Sequence, residues 1–286
     1  GVKIHFEHKI ARVDELPEAD LIVAADGVGS RLRELNAHRF DTRITEGRNK
    51  YVWLGTTRVF ENFTFGFAPT EAGWIWFHAY GFSEEMSTLI AECSHETWVG
   101  LGFDRLGRNE GLARLEKIFE NQLAGHRLFS KASAEKGLSW LNFRWITNKR
   151  WYADNIVLMG DAAHTTHFSI GSGTQLAIQD AISLADSLRA HTDIQSTLAS
   201  YEADRQQRMQ RPYKEARLSA QWFENVADYI HLDAPEFLRI MLGRRSALLH
   251  HLPPGIYCQL DKLTKENAAL QKIRKLASAF YHGRHR

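Results

Sequence analysis

Two stretches of this 286-residue chain place a carboxylate, glycines and hydroxyl or basic residues at the end of an apolar run. In "DLIVAADGVGSRLR", Asp20 to Arg33, the run closes at Asp26-Gly27 and a tight turn passes Gly29-Ser30 before Arg31 and Arg33. In an open α/β sheet that position, at the carboxyl end of a strand, is where ligands bind; a plain strand–turn–helix junction would read the same. The second stretch, "NIVLMGDAAHTTHFSIGSGTQLAIQDAISLADSL", is more specific. Gly160-Asp161 ends a buried run, and Asp161 can accept hydrogen bonds from a polyol. Gly171-Ser172-Gly173 lets main-chain N–H groups approach a ligand closely. Thr174 and Gln175 then open a helix whose N-terminus favours negative charge. A polyol tail and a delocalised anionic edge would suit this pair of turns.

Three histidines are candidates for proton work or hydrogen bonding. His164 lies inside the second stretch and suits loop fixing. His167 sits in the loop before the glycines, as a loop residue or a catalytic one facing substrate. His78 belongs to "GWIWFHAYGF", where strand periodicity puts Trp74, Trp76, His78 and Tyr80 on one face. That face is either an aromatic substrate pocket or sheet core. Metal spacing is lacking in these histidines.

The elements that must position these groups follow from periodicity. Alternation in Val2 to Phe6 predicts a strand, with others at Ile10 to Val13 and Leu21 to Ala25. The runs Leu21 to Ala25 and Ile156 to Met159 predict parallel strands buried on both faces. From Tyr51 to Cys93, aromatic and β-branched segments separated by Gly, Pro and acidic turns predict an antiparallel sheet. A helix is predicted from Gly111 to Leu123, strand from Leu138 to Ile146, and a helix with the stripe Ala177, Ala181, Leu184, Ala185 and Leu188. Beyond Ser196 the chain reads as helical, with breaks at Pro212, Asp233-Ala234-Pro235 and Pro253-Pro254-Gly255, and a last helix from Lys262 to Phe280 whose stripe suits core packing. The fold class is thus mixed α/β: a Rossmann-like sheet in 1–50 and 146–195, a second domain with an antiparallel sheet in 51–145, and a helical region in 196–286.

Composition excludes several classes. Hydrophobic residues are 44%, charged residues 24%, and the formal charge is +2, so no nucleic-acid partner is indicated. The basic cluster Lys272, Arg274, Lys275, Arg284 and Arg286 suits a solvated helix face better than a phosphate site. No apolar run approaches membrane-span length, and no signal peptide is visible. Cys93 and Cys258 are read as free thiols in a reducing, cytoplasmic setting. The opening at Gly1 inside strand-like alternation predicts an incomplete N-terminus.

The motifs resemble a known family. "DGVGSRLR" resembles the DG motif, and "GDAAH…GSGTQLAIQDAISLADSL" the GD motif, of class A FAD-dependent aromatic hydroxylases. Segments such as "GWIWFHAYGFSEEMSTLIAEC" and "WFENVADYIHLDAPEFLRIMLGRRS" are similar to the branch with salicylyl-CoA 5-hydroxylase and 2-aminobenzoyl-CoA monooxygenase, over roughly Val2 to Ser246. Violacein-pathway hydroxylases are more distant relatives of that branch. "LLHHLPPGIYCQL" departs from it.

The resemblance implies FAD bound at Asp26, Gly27, Gly160, Asp161, Gly171, Ser172, Gly173, Thr174 and Gln175. It implies NADH or NADPH as reductant, dioxygen as oxidant, and a small aromatic substrate made electron-rich by a hydroxyl or amino group. His167 becomes the candidate catalytic residue, and Trp74, Trp76, His78 and Tyr80 the candidate substrate face. Lys149, Arg150, Arg244 and Arg245 are available for the phosphates of a CoA thioester. Many class A enzymes carry prolines where this chain has His167-Phe168. The GxGxxG unit that the family places near its start is absent, so at least one βαβ unit of roughly 30 residues is expected upstream. Two alternatives remain beside the aryl-CoA hydroxylase: a hydroxylase of an indole or tryptophan-derived substrate, and an inactive fragment that does not retain FAD. A halogenase on the same fold would carry a WxWxIP-type signature, which "GWIWFHAY" is not.

Overall fold

A short apolar strand is stable only beside a neighbour that takes its main-chain hydrogen bonds, and the pairing of these strands organises the molecule. The computed structural model describes residues 1–130 and 137–266. Its strands are β1 (Ile22–Ala24), β2 (Thr42–Thr56), β3 (Thr64–Thr70), β4 (Gly73–Gly81), β5 (Ser87–Cys93), β6 (Leu128–Phe129), β7 (Leu141–Asn148), β8 (Tyr152–Ala153) and β9 (Ile156–Leu158). Its helices are α1 (Arg31–Leu35), α2 (Ala37–Phe40), α3 (His95–Gly100), α4 (Arg108–Ile118), α5 (Glu120–Leu123), α6 (Gly173–Ala190), α7 (Ile194–Glu224), α8 (Ala234–Gly243) and α9 (Pro254–Glu266). The chain divides into two compact units, Gly1–Gln210 and Arg211–Arg286.

In the first unit, β1 runs parallel to β9, with Ile22 opposite Ile156 and Ala24 opposite Leu158. β8 pairs antiparallel on the other side of β9. Both chemistry-bearing turns therefore leave the same end of one sheet. β9 is wholly buried, as its apolar run predicts. β1 is not: Val23 is 40% exposed, because β1 is the outer strand of this sheet. Apolar residues of β9, α6 and the first turns of α7 form a common core that includes Val157, Leu158, Leu176, Leu184, Leu198 and Tyr201.

The second sheet has the order β3-β4-β5-β2-β6, and β7 also pairs with β2. Every pairing is antiparallel, as the alternation predicts. β2 starts at Thr42, ahead of Tyr51, and its register with β7 shifts between Glu46 and Lys50. Residue 50, a predicted division of the chain, lies inside this strand. One face of the sheet carries Val52, Leu54, Ile75, Phe77, Leu89 and Ala91, packed with Leu115, Phe119 and Leu123 of the helical segment. Burying each such side chain contributes roughly 1.5–3 kcal/mol.

Four further expectations fail. Val2 to Phe6 is not a strand: Val2, Ile4 and Phe6 are 91%, 69% and 83% exposed, and alternation without a partner ladder does not make a strand. Ile10 to Val13 forms none either; a 3-10 turn covers Val13–Glu15. The stripe on α6 is rotated, and Leu176, Asp180, Leu184 and Ser187 are its buried residues. A carboxylate holds the middle of that face, which a count of apolar residues cannot find. Finally, α7 continues through Pro212. Proline removes one main-chain donor and crowds the carbonyl four residues back, but the long helix supplies intact turns on both sides.

In the second unit, Asp233 caps α8 by accepting a hydrogen bond from Glu236 N at 2.8 Å, and Pro235 stands in the first turn. α9 begins at Pro254, ahead of the predicted Lys262. The remainder of the predicted last helix and the terminal basic cluster lie outside the described residues.

Candidate active site

At the first turn, Gly27 has φ +81, a conformation that favours glycine. Asp26 Oδ2 accepts a hydrogen bond from Arg31 N at 2.7 Å, and Ser30 Oγ accepts one from Arg33 N at 3.1 Å. Both side chains thus cap α1. Arg33, 2% exposed, reaches back from that helix. Its Nη2 donates to Val28 O at 2.6 Å and its Nη1 to Ala162 O at 3.0 Å. One guanidinium therefore fastens the first turn to the second. Burial lowers its pKa, Arg144 adds to the fall, and Asp26 and Glu34 oppose it.

At the second turn, Gly160 has φ +59, and a Cβ there would meet Ala177 Cβ at 3.2 Å. The turn lies close against α6. Beneath it is a carboxylate that was not singled out in the sequence. Asp180 is fully buried. Its Oδ2 accepts from Gly160 N at 2.9 Å and meets His164 Nε2 at 2.8 Å, and its Oδ1 accepts from Arg205 Nε at 2.7 Å. Burial alone would raise the Asp180 pKa, but the bonds from His164, Arg205 and Gly160 N leave it lowered. His164 therefore fixes the loop. The signal in the sequence was a single charged residue at the centre of an otherwise small and apolar helix face.

Asp161, the next residue, is exposed. Partial burial raises its pKa; His164 opposes this and Asp180 adds to it. The loop then passes His167 and a 3-10 turn, Phe168–Ile170, to Gly171 at φ +66. Ser172 precedes α6 and makes no side-chain cap bond. Within an α-helix, the first-turn N–H groups have no acceptor four residues back, and here these belong to Gly173, Thr174 and Gln175. A Cβ on Gly171 or Gly173 would meet nothing within 4 Å, so the approach to these donors is open. An exposed carboxylate that accepts from a polyol and an uncapped helix end that donates to an anionic edge are the groups that a flavin requires.

The face of β4 carrying Trp74, Trp76, His78 and Tyr80 is opposite the one that packs on Leu115, Phe119 and Leu123. Trp76 and His78 are 2% and 3% exposed, whereas Trp74 and Tyr80 are partly exposed. Phe63 stacks on His78 at 5.6 Å and on Tyr80 at 5.7 Å between ring centroids. The glycine-preceding loop reaches this face. Phe168 lies 5.4 Å from His78 and 4.8 Å from Tyr51, and His167 lies 4.8 Å edge-on from Phe143. His167 is buried. Its Nδ1 accepts from Ser169 N at 3.4 Å and lies 2.8 Å from Ser169 Oγ.

Tyr51, Phe143 and Phe168 were missed in the sequence because their contacts join separate elements. Glu92 pairs across strands with both Tyr51 and Trp76, and accepts from Asn49 Nδ2 at 2.7 Å. Burial first, and Glu92 second, raise the Tyr51 pKa. Of the four cations suggested for phosphates, Arg244 is already engaged. It donates to Ser219 Oγ at 3.0 Å and Met241 O at 2.8 Å, and burial and Arg245 push its pKa down to about 10.

Paired Asp-containing turns at one sheet end, an open helix N-terminus and an aromatic sheet face define a flavoprotein of the aromatic-hydroxylase type. The comparisons agree. The family model described as FAD binding domain matches residues 14–216, and the chain belongs to the class A FAD-dependent aromatic hydroxylases.

Relatives include salicyloyl-CoA 5-hydroxylase of a Streptomyces species, 35% identical over 82% of this chain and 46% of its own length. Protodeoxyviolaceinate monooxygenase of Chromobacterium violaceum is 33% identical over 87% and 66%. 3-Hydroxy-4-methyl-anthranilyl-[aryl-carrier protein] 5-monooxygenase of Streptosporangium sibiricum is 38% identical over 79% and 59%. The chain thus spans roughly half to two thirds of these relatives. Among solved structures, PqsL from Pseudomonas aeruginosa matches with a TM-score of 0.53 at 22% identity, over 72% of this chain and 57% of that one. 2-Methyl-3-hydroxypyridine-5-carboxylic acid oxygenase matches with a TM-score of 0.55 at 18% identity, over 74% and 55%. Both share the fold. No helix among the described residues is long and apolar enough to cross a membrane.

Proposed function

We propose that the protein containing this chain is an NAD(P)H-using monooxygenase that hydroxylates an aromatic ring activated by a hydroxyl or amino group. The carrying observation is the meeting of the His167-Phe168 loop with the aromatic sheet face, directly before the open N-terminus of α6. FAD, when bound, supplies dioxygen activation with electrons drawn from the nicotinamide. Asp161 would hold its polyol chain, and the N–H groups of Gly173, Thr174 and Gln175 would be available to its polar edge. Asp26 and Gly27 form the neighbouring turn. The partly exposed Trp74 and Tyr80 are the candidate contacts of the substrate ring, and Trp76 and His78, buried in the same face, support them. His167, carried by the same loop, is the candidate residue to assist the ring's activating group. Relatives acting on a salicyloyl-CoA and on a carrier-bound anthranilyl group favour a thioester-linked aromatic acid over an indole.

The test is NAD(P)H consumption by the complete enzyme with 2-hydroxybenzoyl-CoA, salicylate and tryptophan side by side. Consumption coupled to hydroxylated product with the thioester is expected. Coupling with tryptophan alone would move the assignment to indoles, and coupling with none would defeat the hydroxylase reading.

A further inference from the structure

The sheet face that carries Tyr51 and His78 does not end at the flavin-facing loop. Residues alternate along a strand, so Trp53 and Gly55 follow Tyr51 on the same face. Thr88 and Ile90 occupy that face on β5, opposite Gly55 and Trp53. Phe82 extends the series His78 and Tyr80. On its other edge β2 is paired with β7 only up to Tyr51 and with β6 only from Gly55. Between those two ladders lies a pocket of about 520 Å³, walled by Trp53, Phe82, Phe129 and Leu141 with the hydroxyls of Thr88 and Ser139. Gly55 permits it: a Cβ there would meet the Phe129 ring at 2.2 Å, so that ring lies flat on the strand.

Two properties define what fits. None of the lining residues carries a charge, so the pocket offers a carboxylate no ion-pair partner. A neutral chain of methylenes and amides is suited, since apolar walls take the methylenes and hydroxyls pair with the amides. The pocket also begins beside the ring site. Leu141 is the cross-strand partner of Tyr51, and Trp53 is its next neighbour on the face, about 6.5–7 Å along the strand.

We propose that this pocket receives the neutral arm of an aromatic acid held as a thioester of pantetheine type, whose ring lies beside Tyr51 and Phe168. The inference rests on the hydroxylase reading above and deepens it. The carboxyl of the aromatic acid is masked as the thioester, so no charged group enters, and the arm fixes the ring from one side. Coenzyme A and a carrier protein present the same arm.

The experiment measures dissociation constants by titration calorimetry on the complete enzyme, with salicylate, 2-hydroxybenzoyl-N-acetylcysteamine and 2-hydroxybenzoyl-pantetheine. Trp53, Ser139 and Leu141 are exposed in the described structure, so Ser139→Phe, which fills the pocket, and Trp53→Ala, which removes a wall, leave the fold intact. Affinity is expected to rise about tenfold from the short to the long thioester, the equivalent of burying a few methylenes. Each variant is expected to abolish that gain and leave salicylate binding within about twofold. Equal affinity for the two thioesters, or an equal loss for salicylate in both variants, overturns the proposal. A lower KM for 2-hydroxybenzoyl-CoA or for the acylated carrier protein supports it and identifies the arm's source. Variant-sensitive binding of the pantetheine thioester without hydroxylation of any aromatic compound would defeat the hydroxylase reading and leave the pocket standing.

Discussion

Removing Asp180 isolates the energetic role of a residue that touches no ligand. Its carboxylate is fully buried and accepts from Gly160 N, Arg205 Nε and, on the bonded tautomer, His164 Nε2. Arg205 is itself 2% exposed. Asp180→Ala therefore strands a buried guanidinium and a buried main-chain donor together. Breaking a buried pair by deleting one partner costs about 3–5 kcal/mol, a large share of the 5–15 kcal/mol typical of a whole domain. At about 2–4 °C per kcal/mol for a domain of this size, the midpoint should fall by roughly 6–20 °C.

Asp180→Leu combined with Arg205→Met removes both charges and keeps the volume, so it should recover much of that loss. Urea unfolding of the three proteins, followed by far-UV circular dichroism, measures the differences. A loss under about 1 kcal/mol for Asp180→Ala, or a double variant worse than the single one, would refute this account. The pH dependence follows with its sign. The folded Asp180 pKa is lowered, so its contribution is complete above the unfolded carboxylate range and is lost as pH falls through the folded value. Asp180→Asn should flatten the acid limb of the stability curve.

Asp161 should behave in the opposite way. Its folded pKa is raised, so its favourable contribution lies below the unfolded value and disappears as pH rises through the folded one. Asp161→Asn should leave stability at neutral pH unchanged or slightly higher. Asp161→Ala should weaken FAD binding about ten- to hundredfold, the loss of a charge-assisted bond of about 1.5–3 kcal/mol; flavin fluorescence titration checks it, and an unchanged dissociation constant excludes the assigned role. Gly160→Ala places a side chain at positive φ and against Ala177, and should cost about 1–2 kcal/mol in urea unfolding. Ser30→Ala removes the cap on Arg33 N and should cost about 1 kcal/mol by the same measurement.

What the sequence made legible divides along a physical line. The apolar runs of β1 and β9, the alternation of β3 to β5 and the two carboxylate-glycine turns were readable, because each depends on residues close together in the chain. The parallel pairing that brings Asp26 and Asp161 to one sheet end was expected from the two continuous apolar runs. Patterns also misled when a neighbour was assumed. Val2 to Phe6 alternates without a ladder, and β1 is apolar yet half open at Val23. Long-range polar contacts were invisible. Arg33 was noted only as a basic residue after a turn, whereas its guanidinium crosses to the carbonyl of Ala162. Asp180 was not singled out, although it is the hydrogen-bond centre for Gly160, His164 and Arg205.

These two side chains bear on the role proposed for the exposed Asp161. Arg33 holds the turn through the carbonyls of Asp161 and Ala162, and Asp180 holds it through Gly160 N. The main chain is thus fixed on both sides of the Asp161 carboxylate, while the carboxylate itself stays exposed to solvent. A binding group gains affinity when the backbone that carries it is ordered before the ligand arrives. In this turn the ordering comes from a buried guanidinium and a buried carboxylate that need not touch the flavin. Loss of either should therefore weaken FAD binding with Asp161 still in place, and Arg33→Lys, which keeps the charge but not the fork, separates charge from geometry: if FAD affinity survives that change, the geometric account of the turn is wrong.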